Sequence, residues 1–263
     1  MPSAPPAATR RRRAIQSELA AGRFVEIAGF AARLGVSEMT VRRDLAALEA
    51  EGFLHRVRGG AIARVSRSYE PPVEMRAAQE DGAKRRIARA AVALVSDGET
   101  AIVDVGTTTG ALARALRGRG PLTVVTPSLP VALELAREPL IRIVVTGGIL
   151  RPGELSLVGA VAERAFEDVN CDVAFVGVAG LDADRGLTEY NPDDARVKRA
   201  FLRSTQRTIV LADASKLGRI AFASVAPLSS VDVIVTDASL DHPVLVAAAA
   251  AGVELVSAAP EED

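Results

Sequence analysis

The sequence has a single cysteine, Cys171, two histidines and no tryptophan among its 263 residues. One cysteine cannot form a disulfide within the chain, which excludes a disulfide scaffold and suits a reducing cytoplasm. Together with His55 and His242 it also falls short of the usual nitrogen and sulfur ligands of a zinc site. We therefore expect a cytoplasmic protein without a bound metal or cofactor.

Long apolar segments are also missing. No apolar run reaches the ~20 residues of a membrane-spanning helix, and no apolar core follows the charged start as in a secretory signal. Aromatic residues are only 3% of the chain, so alanine, valine, leucine and isoleucine must form the core. These absences predict a protein without a membrane association.

Charge is divided unequally along the chain. Residues 1–64 contain 11 arginines and 6 acidic residues, a net charge of +5, whereas the whole chain carries −1. Residues 65–263 therefore carry −6. This asymmetry predicts a nucleic-acid-binding segment attached to an acidic body.

The segment from Ser37 to Leu48 has the pattern of a capped amphipathic helix. Serine is a good N-cap, because its hydroxyl accepts a hydrogen bond from a free backbone N–H of the first turn. The apolar stripe consists of three residues at helical spacing: Val41, Leu45 and Leu48. Arg42 and Arg43 lie off this stripe, where they are free to contact DNA.

Two further helices are expected before this one, over Arg13–Ala21 and Phe24–Leu34. The second ends at Gly35, since glycine adopts the left-handed conformation of a helix terminus at low cost. A helix, a glycine turn and a second helix form a helix-turn-helix, whose second helix enters the major groove. A three-helix packing unit with solvated arginines is the alternative.

A short hairpin is predicted over Phe53–Ile62, with Gly59-Gly60 at its turn. Arg56 and Arg58 are two residues apart, so they lie on one face of a strand and suit a wing against phosphates. The run Arg10–Arg13 either reaches phosphates or is a solvated segment. The candidate DNA contacts are Ser37, Glu38, Thr40, Arg42, Arg43, Arg56 and Arg58.

Residues 10–62 resemble the winged helix-turn-helix domain of DeoR-family bacterial transcription regulators, and we place the DNA-binding domain over residues 10–64. The resemblance depends on Thr40-Val41-Arg42-Arg43-Asp44-Leu45 and on Gly59-Gly60-Ala61, which stand at the spacing of the family. It implies that double-stranded operator DNA is a partner. Residues 65–76, with Pro71-Pro72, are expected to form a linker, because prolines interrupt helices and strands.

Residues 77–257 alternate between apolar segments and helical patterns, which predicts an α/β domain with a mostly parallel sheet covered on both faces. The predicted strands are 101–105, 122–126, 141–146, 173–178, 208–212, 231–236 and 253–256. The predicted helices are 84–95, 108–116, 129–136, 195–204 and 243–251. Ligands of such sheets bind at the carboxyl ends of the strands.

The loop Asp104–Gly110 follows a strand and opens a helix. Its glycine, hydroxyls and free N–H groups would suit a phosphate, although a plain turn with a threonine cap explains the loop as well. Lys216 lies near another strand end and is either a ligand contact or an ordinary surface lysine. Thr126 and Gly147-Gly148 also follow strands.

The same region resembles the sensor domain of the DeoR family, which is related to sugar-phosphate isomerases and binds a phosphorylated sugar or polyol. The resemblance implies a phosphate at Gly106–Thr108. The candidate effector-binding residues are Asp104, Gly106, Thr107, Thr108, Thr109, Thr126, Gly147, Gly148, Asp182, Lys198 and Lys216. The chain departs from the family pattern at Pro127, Asp194 and Arg196, which leaves the ligand and the part played by Asp194 open.

The function predicted from these features is a repressor of carbohydrate catabolism genes that a phosphorylated sugar releases from DNA. Two alternatives are an isomerase-like enzyme with a DNA-binding head and an architectural DNA-binding protein. No arrangement of residues demands catalysis, so we expect no enzyme. Because one winged head reads few base pairs, we expect a homo-oligomer, a dimer or a tetramer.

Overall fold

The computed structural model describes residues 7–20, 24–50, 53–63 and 67–258. The chain divides into two compact units, Met1–Tyr69 and Glu70–Asp263. None of the described helices is both long enough and apolar enough to cross a membrane.

The described residues of the N-terminal unit form three helices and a small antiparallel sheet. Its helices are α1 (Ala7–Ala20), α2 (Ile27–Leu34) and α3 (Glu38–Ala50). Its strands are β1 (Val25–Glu26), β2 (Leu54–Val57) and β3 (Gly60–Ala63), with β3 in the centre. The expected helix-turn-helix and hairpin are therefore present, and Gly35 ends α2 in the left-handed conformation with φ +63°.

The core of this unit confirms the predicted apolar stripe of α3. Val41, Leu45 and Leu48 are at most 1% exposed and pack with Ile15 and Leu19 of α1. The predicted helix 13–21 begins earlier, at Ala7, and Ala21 lies outside the described residues. The three helices thus share one small core.

The prediction of a helix from Phe24 was wrong at its start. Val25 and Glu26 form a strand that pairs with Ala61 and Gly60, and the helix begins only at Ile27. The β-branched Val25 is buried against the hairpin, so a tertiary contact outweighs the helical pattern of the segment. Phe24 is half exposed and does not join the core.

The hairpin turn is shifted by one residue from the predicted Gly59-Gly60. Val57 pairs with Gly60, which leaves Arg58 and Gly59 as the two turn residues. Gly59 has φ +83°. Gly60 lies in the strand, where a Cβ atom would stand 2.1 Å from the carbonyl oxygen of Val25. Both glycines are needed, one for the turn and one for close packing of β1.

The C-terminal unit is built on a seven-stranded sheet, and every neighbouring pair in it is parallel, which confirms the predicted α/β class. Its strands are β4 (Thr100–Val103), β5 (Leu122–Thr126), β6 (Ile141–Val145), β9 (Cys171–Gly177), β12 (Thr205–Leu211), β14 (Val233–Thr236) and β15 (Glu254–Ser257). Their order across the sheet is β15-β14-β12-β9-β4-β5-β6.

Within the part of this unit that the structure describes, six helices accompany the sheet. Five lie at or near predicted helices, and one short helix lies in a connection between strands. The six are α5 (Asp81–Val92), α6 (Thr107–Ala115), α7 (Leu129–Leu135), α8 (Ala160–Arg164), α9 (Pro192–Leu202) and α10 (Pro243–Ala250). Strand residues alternate between two apolar clusters, because successive side chains point to opposite faces. Ala101 and Val103 pack with α5, α6 and α7, whereas Ile102 belongs to the cluster that contains α8, α9 and α10.

Two small antiparallel sheets were not predicted. One pairs β7 (Ile149–Arg151) with β8 (Ser156–Val158), and the other contains β10 (Gly180–Asp182), β11 (Gly186–Glu189) and β13 (Ala223–Ala226). Strands of three or four residues contain too few positions to show an alternating pattern. They lie in the connections that follow β6, β9 and β12, and they extend the unit at the carboxyl ends of these parallel strands.

The expected linker 65–76 also differs from the structure. Helix α4 (Val73–Ala78) begins within it, and residues 70–76 belong to the C-terminal unit. Residues 64–66 lie outside the described residues. The buried Lys84 of α5 holds α4 in place, because its ammonium donates to the carbonyl oxygens of Arg76 and Gln79.

Candidate functional site

The outer face of α3 presents most of the predicted DNA contacts. Ser37, Glu38, Arg42 and Arg43 are exposed. Ser37 caps the helix, since its hydroxyl accepts a hydrogen bond from the backbone N–H of Thr40 at 3.2 Å. A capped helix with an exposed basic face has the geometry that major-groove binding requires.

The two arginines of this basic face differ in their ion pairing. The Arg42 guanidinium lies 3.5 Å from the carboxylate of Glu38, one turn earlier on the exposed surface. Within the described residues Arg43 has no ion-pair partner. An exposed ion pair contributes little to stability, so both arginines remain able to bind phosphates or bases.

The arginines of α1 have a function that sequence patterns did not show. The Arg11 Nε donates to the Asp44 carboxylate at 2.7 Å, and Arg12 approaches the other oxygen at 3.4 Å. Asp44 is 4% exposed, so its charge requires compensation. At least these two arginines of the run join α1 to α3.

The wing carries Arg56 and Arg58. Glu49 of α3 accepts from the Arg56 side chain and, at 2.9 Å, from its backbone N–H, which fixes the wing to the helix. Arg58 is exposed in the turn and has no ion-pair partner in the part of the chain that the structure describes. Arg58 is therefore the more available phosphate contact of the two.

A polar cleft lies at the carboxyl ends of the parallel strands of the C-terminal unit. Four predicted effector residues line it: Gly106, Thr107, Thr108 and Lys216. Gly106 has φ +128° and directly precedes α6, whose first N–H groups have no partner within the helix. The predicted phosphate loop is therefore placed in the cleft.

Asp104 and Lys198 form an ion pair beneath the cleft, and both are 1% exposed. The Lys198 ammonium also lies 3.1 Å from Glu189 and donates to the Gly177 carbonyl at 2.8 Å. Burial lowers the pKa of Lys198, but Asp104 and Glu189 outweigh it and raise that pKa above its ordinary value. The lysine is therefore charged at neutral pH.

The two carboxylate oxygens of Asp104 differ in their contacts, and the one that pairs with Lys198 makes all of them. That oxygen accepts from the backbone N–H of Gly177 at 3.0 Å. The other is buried without a hydrogen-bond partner among the described residues. Burial raises the pKa of Asp104 to about 6, against the attraction of Lys198. The pair is a charged floor of the cleft, with one acceptor atom unused.

Arg76 and Arg151 were not predicted, yet both line the cleft. Arg76 forms ion pairs with Glu154 and, at 3.3 Å, with Glu70. Arg151 lies 2.8 Å from Glu70 and forms a second ion pair with Asp194. The only sequence signal was their presence near turns, since the elements that carry them, α4 and β7, were not predicted.

Asp194, whose part was left open, lies in the cleft wall. It is 3% exposed, pairs with Arg151 at 2.5 Å and accepts from the Ser156 hydroxyl at 2.8 Å. Burial raises its pKa, while Arg151 and Ser156 oppose this change. Asp194 therefore orients Arg151.

Tyr190 also faces the cleft and was not predicted. The residue is 4% exposed, and its hydroxyl oxygen has no hydrogen-bond partner among the described residues. The guanidinium of Arg219 stands 5.1 Å from the ring centroid. A buried hydroxyl needs a partner, so a polar ligand is the natural one here.

Besides Asp104 and Lys198, which lie beneath the cleft, five predicted effector residues do not line it. Thr109 and Thr126 are fully buried, and their hydroxyls donate to the carbonyls of Gly106 and Val103. Asp182 accepts from two backbone N–H groups in the turn between β10 and β11. The remaining two are Gly147 and Gly148, and a Cβ on the latter would meet the Val158 carbonyl at 2.6 Å. These contacts support the fold, and we leave all five out of the proposed contact set.

Within the described residues no group of three or more potential ligands is arranged to hold a metal ion. The cleft instead combines guanidinium groups, a helix N-terminus, hydroxyls and carboxylates, which suit an anionic polyhydroxyl ligand. A helix-turn-helix unit joined to an α/β unit with such a cleft defines a DNA-binding protein with a ligand-sensing domain.

The chain belongs to the DeoR family of transcriptional regulators. Residues 11–67 match the DeoR-like helix-turn-helix domain, and residues 79–238 match the DeoR C-terminal sensor domain. DNA and a small-molecule effector are thus the partners that its two domains imply. The protein is a transcriptional regulator and not an enzyme.

Two relatives cover most of the chain. The regulator GlpR of Haloferax volcanii is 38% identical over 220 residues, 84% of this chain and 85% of its own. The glycerol-3-phosphate regulon repressor of Escherichia coli K12 is 34% identical over 203 residues, 77% of this chain and 80% of its own.

Among solved structures, ribose 5-phosphate isomerase A from Methanocaldococcus jannaschii matches with a TM-score of 0.39 and 17% identity, over 53% of this chain and 55% of that one.

Proposed function

We propose that the protein represses carbohydrate catabolism genes and that a phosphorylated sugar or polyol releases it from its operator. The cleft supports this proposal best. It places the N-terminus of α6 beside two arginines, Lys216 and the buried Tyr190 hydroxyl. Helix N-termini and guanidinium groups bind phosphate, and hydroxyl and carboxylate groups bind sugar hydroxyls.

In this proposal Gly106, Thr107 and Thr108 hold the phosphate. Burial lowers the pKa of Lys216, so an incoming anion would stabilise its charged form. Tyr190 and Asp104 each have a buried oxygen without a partner among the described residues, and we assign them to the polyol part. The name of the Escherichia coli relative refers to glycerol 3-phosphate, a phosphorylated polyol.

The ligand must bind the DNA-released state more tightly than the DNA-bound state, because only this difference shifts the population. In this proposal the DNA contacts and the effector contacts lie on different domains. Loss of one set should leave the other intact.

The test is the double variant Thr107→Ala, Thr108→Ala, with Ser229→Ala, Ser230→Ala as a control in an exposed turn. We expect operator binding in gel shifts to match wild type. Release by glycerol 3-phosphate or ribose 5-phosphate should require at least about tenfold more ligand, because charge-assisted hydrogen bonds to phosphate are lost. A normal response of the double variant would show that the phosphate binds elsewhere.

We infer that the regulator is a homo-oligomer, a dimer or a tetramer. Exposed apolar side chains support this, because Val145, Ile149, Leu150 and Val161 are between 42% and 70% exposed near the β6 edge of the sheet. Sedimentation should give at least twice the chain mass of 27.5 kDa. The variant Ile149→Asp should lower that mass, and a 27.5 kDa particle in wild type would refute the assignment.

A further inference from the structure

Glu70 bridges both arginines of the cleft. One of its carboxylate oxygens accepts from Arg151 at 2.8 Å, and the other lies 3.3 Å from both Arg151 and Arg76. Arg76 also donates to the carbonyl oxygen of Pro71 at 3.0 Å. The start of the C-terminal unit is thus attached to the cleft by guanidinium groups.

The two arginines are shared among three carboxylates: Glu70, Glu154 and Asp194. These five side chains together carry a net charge of −1. A phosphate dianion added to them would be repelled unless one carboxylate moved away from the arginines. The Glu154 and Asp194 side chains are each 4% exposed, whereas that of Glu70 is 20% exposed. Glu70 can reach water at the lowest cost and is the group that can exchange.

The position of Glu70 in the chain gives this exchange a consequence. Glu70 is the first residue of the C-terminal unit, and Tyr69 is the last residue of the N-terminal unit. The Tyr69 ring packs edge-on against Phe53 with centroids 5.3 Å apart. Adjacent residues are therefore anchored in different units, and one peptide bond joins the two anchors.

We propose that the anionic group of the effector displaces the Glu70 carboxylate from Arg76 and Arg151, and that the freed Glu70 segment is the signal to the DNA-binding unit. This inference rests on the proposed function and names its regulatory contact. Arginine binds phosphate in the same bidentate manner as carboxylate, so the two anions compete for the same N–H groups. Helix α4 stays in place, because Lys84 holds its carbonyls independently of Glu70.

The test uses the full chain with inorganic phosphate and glycerol 3-phosphate as probes at constant ionic strength. Glu70→Gln removes the competing charge, and Glu74→Gln is the matched control, because Glu74 is exposed on α4 and outside the cleft. We expect Glu70→Gln to bind at least one probe about tenfold more tightly than wild type, the size of one charge-assisted contact. Glu74→Gln should bind like wild type.

Hydrogen exchange provides a second measurement that does not depend on affinity. Probe binding should increase exchange of the wild-type amides of residues 67–70, which precede Pro71-Pro72, whereas the amides of α4 should exchange as before. Glu70→Gln should show the increased exchange without any probe, and its operator affinity should be lower than that of wild type.

The outcomes separate the two proposals. If wild type bound a probe and Glu70→Gln bound it with unchanged or weaker affinity, the proposed exchange of Glu70 would be refuted. The effector proposal would still stand. If no phosphorylated probe bound either protein, the effector proposal would fail and this inference with it.

Discussion

At the residue scale, the buried charged side chains of the C-terminal unit matter most for stability and for ligand binding. Lys198 is 1% exposed and is neutralised by Asp104 and Glu189. A buried charge is tolerated only while its partners remain, because transfer from water to the interior is costly. The same groups form the floor of the cleft, so stability and binding depend on one ion pair.

We expect Lys198→Met to lower the free energy of unfolding by about 3–5 kcal/mol, because it leaves two buried carboxylates unpaired. Arg196→Met on the same helix is the control. Its side chain is 51% exposed, so its ion pairs should contribute less than about 1 kcal/mol. Urea denaturation of both variants measures the difference, and equal midpoints would show that Lys198 is not paired as described.

Residue patterns predicted part of the cleft. Gly106 lies between an apolar strand and a helix that Thr107 and Thr108 open, so local sequence was enough to place all three at a strand end. Arg76, Arg151 and Tyr190 could not be placed in this way, because they reach the cleft from elements distant in the chain. Thr126 follows the same strand-end logic, yet its hydroxyl bonds to the Val103 carbonyl beneath the surface.

At the scale of elements, α1 and α3 depend on each other. The carboxylate of Asp44 faces α1 and accepts from Arg11 at 2.7 Å, while Arg43 on the neighbouring position is exposed. Adjacent positions on a helix differ by 100°, so one residue is structural and the next is available to DNA.

Arg43→Ala should weaken operator binding by about 1–3 kcal/mol without a change in stability, because it removes one DNA contact. Arg11→Ala should lower the stability of the N-terminal unit by about 2 kcal/mol, because Asp44 loses a charged hydrogen bond. Gel shifts and thermal melts of both variants separate the two effects. Wild-type operator affinity in Arg43→Ala would exclude α3 as the DNA-reading helix.

Element boundaries show where local pattern was insufficient. All seven strands of the parallel sheet were predicted from their mainly apolar segments. The inner strands are largely buried, as expected for a parallel sheet, whereas the edge strands β6 and β15 are partly exposed. The helical pattern of residues 24–34 conceals strand β1, since the pairing of this strand with Ala61 joins residues far apart in sequence. Strands β7 and β8 pair locally, but three residues each are too few to show an alternating pattern.

At the scale of the whole molecule, the division of charge separates a basic DNA-binding region from an acidic body. Residues 1–64 carry +5 and residues 65–263 carry −6. The acidic remainder disfavours binding of nucleic acid to the sensor domain, which directs DNA to the helix-turn-helix.

Operator affinity should therefore fall steeply with salt. We expect a slope of log affinity against log salt steeper than about −3, because each neutralised phosphate contributes about −0.9. Arg58→Ala should reduce the slope by about 1, since its guanidinium is exposed in the wing. Titrations at several salt concentrations measure both values, and a flat series would contradict the charge model.

The sequence by itself determined the two-domain plan, the parallel sheet, the capped basic helix and the loop that opens α6. These features depend on periodicity, caps and strand ends, all of which are local. Only the tertiary structure decided that Glu70 and Arg76 meet Arg151, some 80 residues later, in one cleft. Such pairings are selected by burial and charge compensation between distant segments, which no local pattern records.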